Sequence, residues 1–326
     1  MNVRARIQHV ALSAAILATA GALPASAQDW PNRNVTIVVP LGAGSASDIM
    51  ARVMAEQLTK QLGQTFVVEN RPGAGGTIGA NQVAKAAPDG YTLLTYGALG
   101  TSNALYSKLP YDTLADFTPV IPFGVQPLSI VAAPSKGYKT LGDLIAAGKA
   151  KPGSLNYTSA GVGTASHFAA VRFLVSAGIE AQHIPFKGAA EAVTEVMTGR
   201  ADFSPQIFTT TLPLLRDGKL VALAVSAPKR TSIMPEVPTT IEAGLKSDSV
   251  YPFYSGFFVP AKAPRAVVEK LHQETVKALQ APAVQERLKT LGVEPMPMSV
   301  EQFDKFFRDD VAEAAALVKS AKIPTQ

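Results

Sequence analysis

Three features of this 326-residue chain predict an α/β protein of two lobes, joined by two crossing strands, with a ligand cleft between the lobes. Runs of β-branched and aromatic residues alternate with stretches of helical apolar spacing, the pattern of sheets wrapped by helices. Five of the strand-to-helix junctions are loops of small residues, three early in the chain and two later. Two extended passages without helical periodicity, 116–131 and 251–259, divide the chain. They predict a first lobe from 28–126 and 252–326 and a second from 127–251.

The first residues have the form of an export signal. Arg4 and Arg6 precede the apolar run Val10 to Leu23, and Pro24 to Ala27 supplies an A-x-A cleavage pattern, so removal of 1–27 is expected. An uncleaved anchor is the competing reading, but the run is short for a span of about 20 residues. No later run approaches the ~18 consecutive apolar residues of a membrane helix. A periplasmic, monomeric protein, not embedded in a membrane after signal removal, is the expectation. The net charge of +5 comes from scattered Lys and Arg, which argues against nucleic acid as a partner. The absence of cysteine excludes disulfides, thiolate metal sites and a Cys nucleophile.

The organising stretch is Val35 to Leu58, VTIVVPLGAGSASDIMARVMAEQL. Val35 to Val39 suits a strand buried on both faces. Pro40 stops it, and Gly42 and Gly44 permit a tight loop. Ser45, Ser47 and Asp48 offer N-cap chemistry for a helix that Gly63 ends. Free N–H groups and the positive end of a helix dipole then point at one spot, which attracts an anion. Phe66 to Glu69 is a second strand, completing a βαβ crossover. The glycine-rich Asn70 to Gly76 leads into a helix from Thr77 to Ala87. After the turn Pro88-Asp89-Gly90 comes a third strand, Tyr91 to Tyr96, and a third small-residue loop, Gly97 to Ser102.

In the second lobe Leu128 to Ala132 opens a new series. Thr140 and Asp143 cap a helix to Ala150. Leu155 to Ser159 is a strand, followed by the loop Ala160 to Thr164 and a helix that stops at Gly178. His183 to Phe186 is a strand, Lys187-Gly188 a loop, and a helix follows to Gly199. Ala201 to Ser204 and Leu220 to Ser226 are further strands around a short helix ending near Gly218. After the return passage the chain is helical, from Pro264 to Gln280, Pro282 to Leu291, and a last helix with the capping box Ser299-x-x-Gln302.

In open α/β sheets ligands sit beyond the carboxyl ends of the strands, so the five loops would line an interlobe cleft. Nucleotide motifs fail: G-x-G-x-x-G read from Gly42, Gly73 or Gly161 ends on Ser47, Ile78 or Ser166, and no phosphate loop or G-x-S-x-G elbow is present. His167 and His183 lack partners at metal spacing, so each reads as structural, although His167 sits one turn into a helix that opens at a ligand loop. Asp48 has two readings, a helix-start acid or a cleft residue. Lys187 reads as a solvated loop charge or as a cation that steers an anion. No metal or cofactor is expected.

Several stretches together are similar to the Bug family of periplasmic solute-binding proteins, receptors of tripartite tricarboxylate transporters. They are Val35 to Arg52, Gly63 to Ala80, Ala87 to Leu94, Leu155 to His167, His183 to Phe203, Leu212 to Arg230 and Pro235 to Leu245. The resemblance implies a type II periplasmic-binding fold and a small organic acid whose carboxylate is held by two facing loops, here Leu41 to Asp48 and Ser159 to Thr164. It departs from the family pattern at Leu41, Gly44-Ser45 and Phe186. The expected ligand-binding set is Leu41, Gly44, Ser45, Ala46, Ser47, Asp48, Tyr96, Ala98, Ser159, Ala160, Gly161, Gly163, Thr164, His167, Phe186 and Lys187. The expected function is capture of a carboxylate for a membrane transporter. An exported carboxylate-processing enzyme and a receptor for a membrane sensor are the alternatives.

Overall fold

In the computed structural model, which describes residues 30–251 and 253–320, Val35–Val39 forms strand β1, almost wholly buried as its composition requires. It pairs in parallel with β2 (Phe66–Asn70) and β3 (Thr92–Thr95). β10 (Phe253–Pro260) joins β3 antiparallel, and β4 (Phe117–Gln126) completes a sheet of order β2-β1-β3-β10-β4. The helix after β1, Ala46–Leu62, ends at Gly63, whose φ of 71° gives the left-handed cap that only glycine adopts cheaply.

Pro127 alone separates β4 from β5 (Leu128–Ala132), and there the chain leaves the first sheet for the second. A proline has no N–H to continue a ladder, so the break falls at that residue. β5 lies between β8 (Ser204–Ile207) and β9 (Val221–Ser226), antiparallel to both. β6 (Leu155–Ser159) and β7 (Ala181–Pro185) form a parallel pair, tied to the segment before β8 by a bridge between Tyr157 and Phe203. β10 then returns to the first sheet. The last helix, Val300–Ser320, starts at the expected capping box: Gln302 Oε1 accepts the Ser299 N–H at 2.8 Å, and Ser299 Oγ accepts the Gln302 N–H at 3.2 Å. Its Phe303 and Phe307 pack on Tyr254 and Phe258 of β10, so the C-terminal helices cover the first sheet.

Three expectations shift. The strand expected at Ala201 to Ser204 is β8, Ser204–Ile207, because Asp202 and Phe203 bond instead to Asn156 and Thr158 beside β6. Pro205 is tolerated there because β8 is an edge strand. The helix expected to reach Ala87 stops at Ala84, and the loop expected through Ser102 becomes the helix Leu99–Leu105. Arg33–Gln326 is one compact unit; of the preceding unit, Met1–Asn32, only residues 30–32 are described. The signal assigned to 1–27 lies outside the described residues. Among those described, no helix is long and apolar enough to cross a membrane.

Candidate functional site

The loop after β1 is held by its own side chains. Ser45 is the N-cap of the first helix, its Oγ accepting the Asp48 N–H at 3.3 Å. Asp48, 2 % exposed, accepts from Gly44 N–H (2.9 Å), from Arg52 through Nε and Nη2 (3.1 and 2.9 Å), and from Asn70 Nδ2 (2.9 Å). Asn70 also donates to Leu41 O at 3.0 Å, which ties the loop to the end of β2. Burial pushes the Asp48 carboxyl up, but bonds from Arg52, Gly44 and Asn70 and the Arg52 charge more than offset it, so it sits below the usual carboxylate range. Gly44, Arg52 and Asn70 take up its oxygens, so the carboxylate orders the loop from the helix start.

The loop after β6 is built the same way. Ser159 Oγ lies 2.6 Å from His183 Nε2 and accepts the Gly161 N–H at 3.1 Å. Gly163 N–H donates to His167 Nδ1 at 3.3 Å, and both the N–H and the hydroxyl of Thr164 donate to Gly161 O. The Ala160 N–H donates to Ser166 Oγ at 2.9 Å. The glycines have φ of 127° (Gly161) and 80° (Gly163), values closed to other residues without strain. The N–H groups expected to meet a ligand at Ser45, Asp48, Gly161, Gly163 and Thr164 are therefore spent within the loops. No acceptor in the described residues takes the N–H groups of Ala46 and Ser47, or of Ala165, Ser166 and His167 in the helix Ala165–Ala177, whose N-cap Thr164 makes no side-chain cap. Those donors lie in the first helical turns, Ala46 and Ser47 within the stretch Leu41 to Asp48 and the other three just past Thr164.

Both helix starts open on one cavity of about 30 Å³. Leu41, Ser45, Ala46, Ser47, Tyr96, Ala98, Ala160 and Thr164 line it as expected. Ala165, Ser166, Ala189, Gln206, Ile207, Thr210 and Phe253 also line it and were missed; Gln206 and Ile207 end β8 where a helix begins, which was the available signal. No charged side chain lines it. Ser47 Oγ is buried with no hydrogen-bond partner. Gly44, Asp48, Ser159, Gly161, Gly163 and His167 lie outside this lining and shape the loops from behind. Phe186 and Lys187 line a separate outer pocket of about 510 Å³, with Gly75, Tyr106, Gly161 and Val162.

The lobes meet directly above the cavity. Tyr106 donates its hydroxyl to Val162 O at 3.0 Å, and the hydroxyls of Ser102 and Thr101 reach Gly163 O at 3.3 and 3.4 Å. Ligand pockets usually enclose ~300 Å³ or more, so the cavity in this structure is far smaller than a typical ligand site. A larger groove of about 840 Å³ lies elsewhere, walled by Ile121, Phe123, Val276, Leu279 and Leu288. The helix start on its rim, at Ser299, is closed by its own capping box, so it offers an anion nothing comparable. Among the described residues no cluster of His, Cys, Asp or Glu is placed to hold a metal ion.

Two α/β lobes around a cavity that faces two helix starts is the architecture of periplasmic binding proteins. Residues 50–323 match the tripartite tricarboxylate transporter family receptor, TctC. The chain belongs to this family. BugT of Bordetella pertussis is 34 % identical over 307 residues, covering 93 % of this chain and 94 % of BugT, which bears out the Bug resemblance. Rpa4515 of Rhodopseudomonas palustris, solved with adipate, has a TM-score of 0.87 at 30 % identity, covering 91 % of this chain and 100 % of its own. MatC from the same organism, with bound malate, has a TM-score of 0.85 at 32 % identity, covering 89 % of this chain and 100 % of MatC. The TctC family consists of solute receptors rather than enzymes, so the enzyme alternative falls away.

Proposed function

We propose that the protein captures a small organic carboxylate between its lobes and presents it to the membrane subunits of a tripartite tricarboxylate-type transporter. One observation carries this reading: uncapped N–H groups from two helices, Ala46–Leu62 and Ala165–Ala177, face one cavity that the unpartnered Ser47 hydroxyl also lines. Neutral donors at helix starts compensate an anion without the desolvation cost of a buried cation. In this reading residues 28–126 with 252–326 form one lobe and 127–251 the other, and the lobes hinge at the two crossings. The protein acts as a periplasmic monomer after removal of residues 1–27. The loops at Leu41 to Asp48 and Ser159 to Thr164 shape the site, while the N–H groups of Ala46, Ser47, Ala165 and Ser166 supply the donors. Phe186 and Lys187 line the separate outer pocket, where the lysine steers an approaching anion.

Malate and adipate are the first acids to test, within a thermal-shift screen of mono-, di- and tricarboxylates. A ligand at 100 times its dissociation constant adds about 2.7 kcal/mol of stability. Stabilisation by sugars or amines and by no organic acid would overturn the proposal. Ser47→Ala separates binding from folding. It removes an orphaned hydroxyl, so the free protein is expected to keep or gain stability while affinity falls about 10- to 100-fold, the weight of one hydrogen bond to a charged group. Calorimetry and urea unfolding read the two effects. Lower stability with unchanged affinity would remove Ser47 from the site.

A further inference from the structure

Beneath the second loop lies a stack of aromatic rings. Tyr157 on β6 and His183 on β7 are register partners, with ring centroids 4.7 Å apart and planes 10° from parallel. His167, from the first turn of the next helix, lies on His183 at 4.2 Å and 7°. Each imidazole holds one point of the loop. His183 Nε2 bonds Ser159 Oγ, which carries the Gly161 N–H, and His167 Nδ1 takes the Gly163 N–H. The loop so shaped offers Val162 O and Gly163 O to the hydroxyls of the opposite lobe.

The acceptor role sets the protonation state. His167 Nδ1 can take the Gly163 N–H only through a free lone pair, so that ring is neutral with its proton on Nε2. A second proton would set N–H against N–H. A proton added to His183 would place a cation against the face of its stacked partner. Among the described residues no carboxylate bonds to either ring. Tyr157 stacks on both rings and itself packs on Phe203, while charged groups of the surrounding elements are engaged elsewhere. Asp202 binds Lys136 and the Asn156 N–H, Glu191 binds the Lys187 N–H, and Arg172 binds Val250 O and Glu313. Burial pushes His167 down to about 4, and burial with repulsion from His167 pushes His183 down to about 3.

We propose that His167 and His183 are positioning residues that make ligand capture depend on pH: as a neutral stacked pair they hold the loop Ser159 to Thr164 in its binding shape, and protonation undoes that shape. This rests on the proposed carboxylate capture and concerns the regulation of that same site. The sign follows from linkage. Forms with a loosened loop take up protons near the ordinary imidazole value of 6.5, which the native pair refuses. The native loop is therefore fully favoured above that value and loses ground as the pH falls towards about 4 and about 3.

The test compares the wild type with His167→Ala, His183→Ala and the double variant His167→Asn/His183→Gln. The asparagine amide sets an acceptor near the position of Nδ1, the glutamine amide reaches Ser159 as Nε2 does, and neither titrates. Calorimetric titration with malate and adipate is run at about pH 7 and about pH 3, one unit below the value of about 4 at which the native His167 ring takes up its proton. Each alanine variant is expected to bind about tenfold more weakly near neutrality, the loss of one shaping hydrogen bond, and the amide pair to recover most of that loss. On acidification the wild type is expected to weaken about tenfold relative to the amide pair, the acid's own protonation being common to both. Equal weakening of wild type and amide pair overturns the proposal, as do alanine variants that bind like wild type. Should an alanine variant fail to fold, the amide pair carries the comparison. Imidazole NMR of the ligand-free wild type separates the two readings. If no acid binds, capture fails while both rings still stay neutral to about pH 5; if the rings titrate near 6.5, the histidine role fails although capture stands.

Discussion

Gly75→Val is expected to abolish tight ligand capture while leaving the fold intact. A Cβ at Gly75 would lie 1.8 Å from Val162 O and 2.6 Å from the Tyr106 hydroxyl, on a backbone with φ of 60°. The first of those contacts crosses between the lobes, and backbone cannot yield as a flexible side-chain end can. With a valine there the lobes stop short of closure, and a ligand on one helix start loses the donors of the other. Loss of two hydrogen bonds to a charged group weakens binding by about 100-fold or more, ~2.8 kcal/mol. Gly153→Val is the control, because Gly153 has φ of 74° and nothing within 4 Å of its Cβ position, so it carries the backbone strain without the clash. Calorimetry reads the affinity, and solution scattering with saturating ligand should show the variant more extended than the wild type. A Gly75→Val protein that binds within about threefold of wild type, ~0.7 kcal/mol, would mean that the two loops need not meet.

Asp48→Asn is expected to destabilise the free protein at neutral pH by about 2 kcal/mol, the scale of one charge-assisted hydrogen bond together with an N–H left unpaired. The asparagine amide would turn donor against the donors of Arg52 and Asn70. The loss stays below the ~3–5 kcal/mol of a fully buried ion pair because the Arg52 side chain is 52 % exposed and can turn to water. The native carboxyl titrates below its ordinary value of 3.8, so its contribution is present above that value and disappears as the pH falls through the lower native one. The difference between wild type and variant should therefore shrink in acid, where a protonated Asp48 resembles the amide. Urea unfolding across pH measures this. Equal stabilities at neutral pH would show that the loop does not depend on the carboxylate.

Much of the architecture was legible in the chain because it is written in local chemistry. The run Val35 to Val39 can only be a buried strand, and Gly63 and Gly178 take the left-handed φ that ends their helices. The capping boxes at Thr140–Asp143 and Ser299–Gln302 close through residues three apart. The crossing expected within 116–131 is fixed at Pro127 only by the structure, which ends β4 at Gln126 and starts β5 at Leu128.

The two-lobed α/β order and the two loops that contribute to the cavity lining follow from local sequence. Which donors stay available was decided only by the tertiary structure. Ser159, Gly161 and Gly163 look like free polar groups when read alone, but His183, 24 residues beyond Ser159, and His167 consume their hydrogen-bonding capacity. Gln206, Thr210 and Phe253 reach the cavity because β8 and β10 bring distant segments beside the two loops. A buried donor takes the nearest acceptor in space, and which acceptor that is depends on packing between elements far apart along the chain.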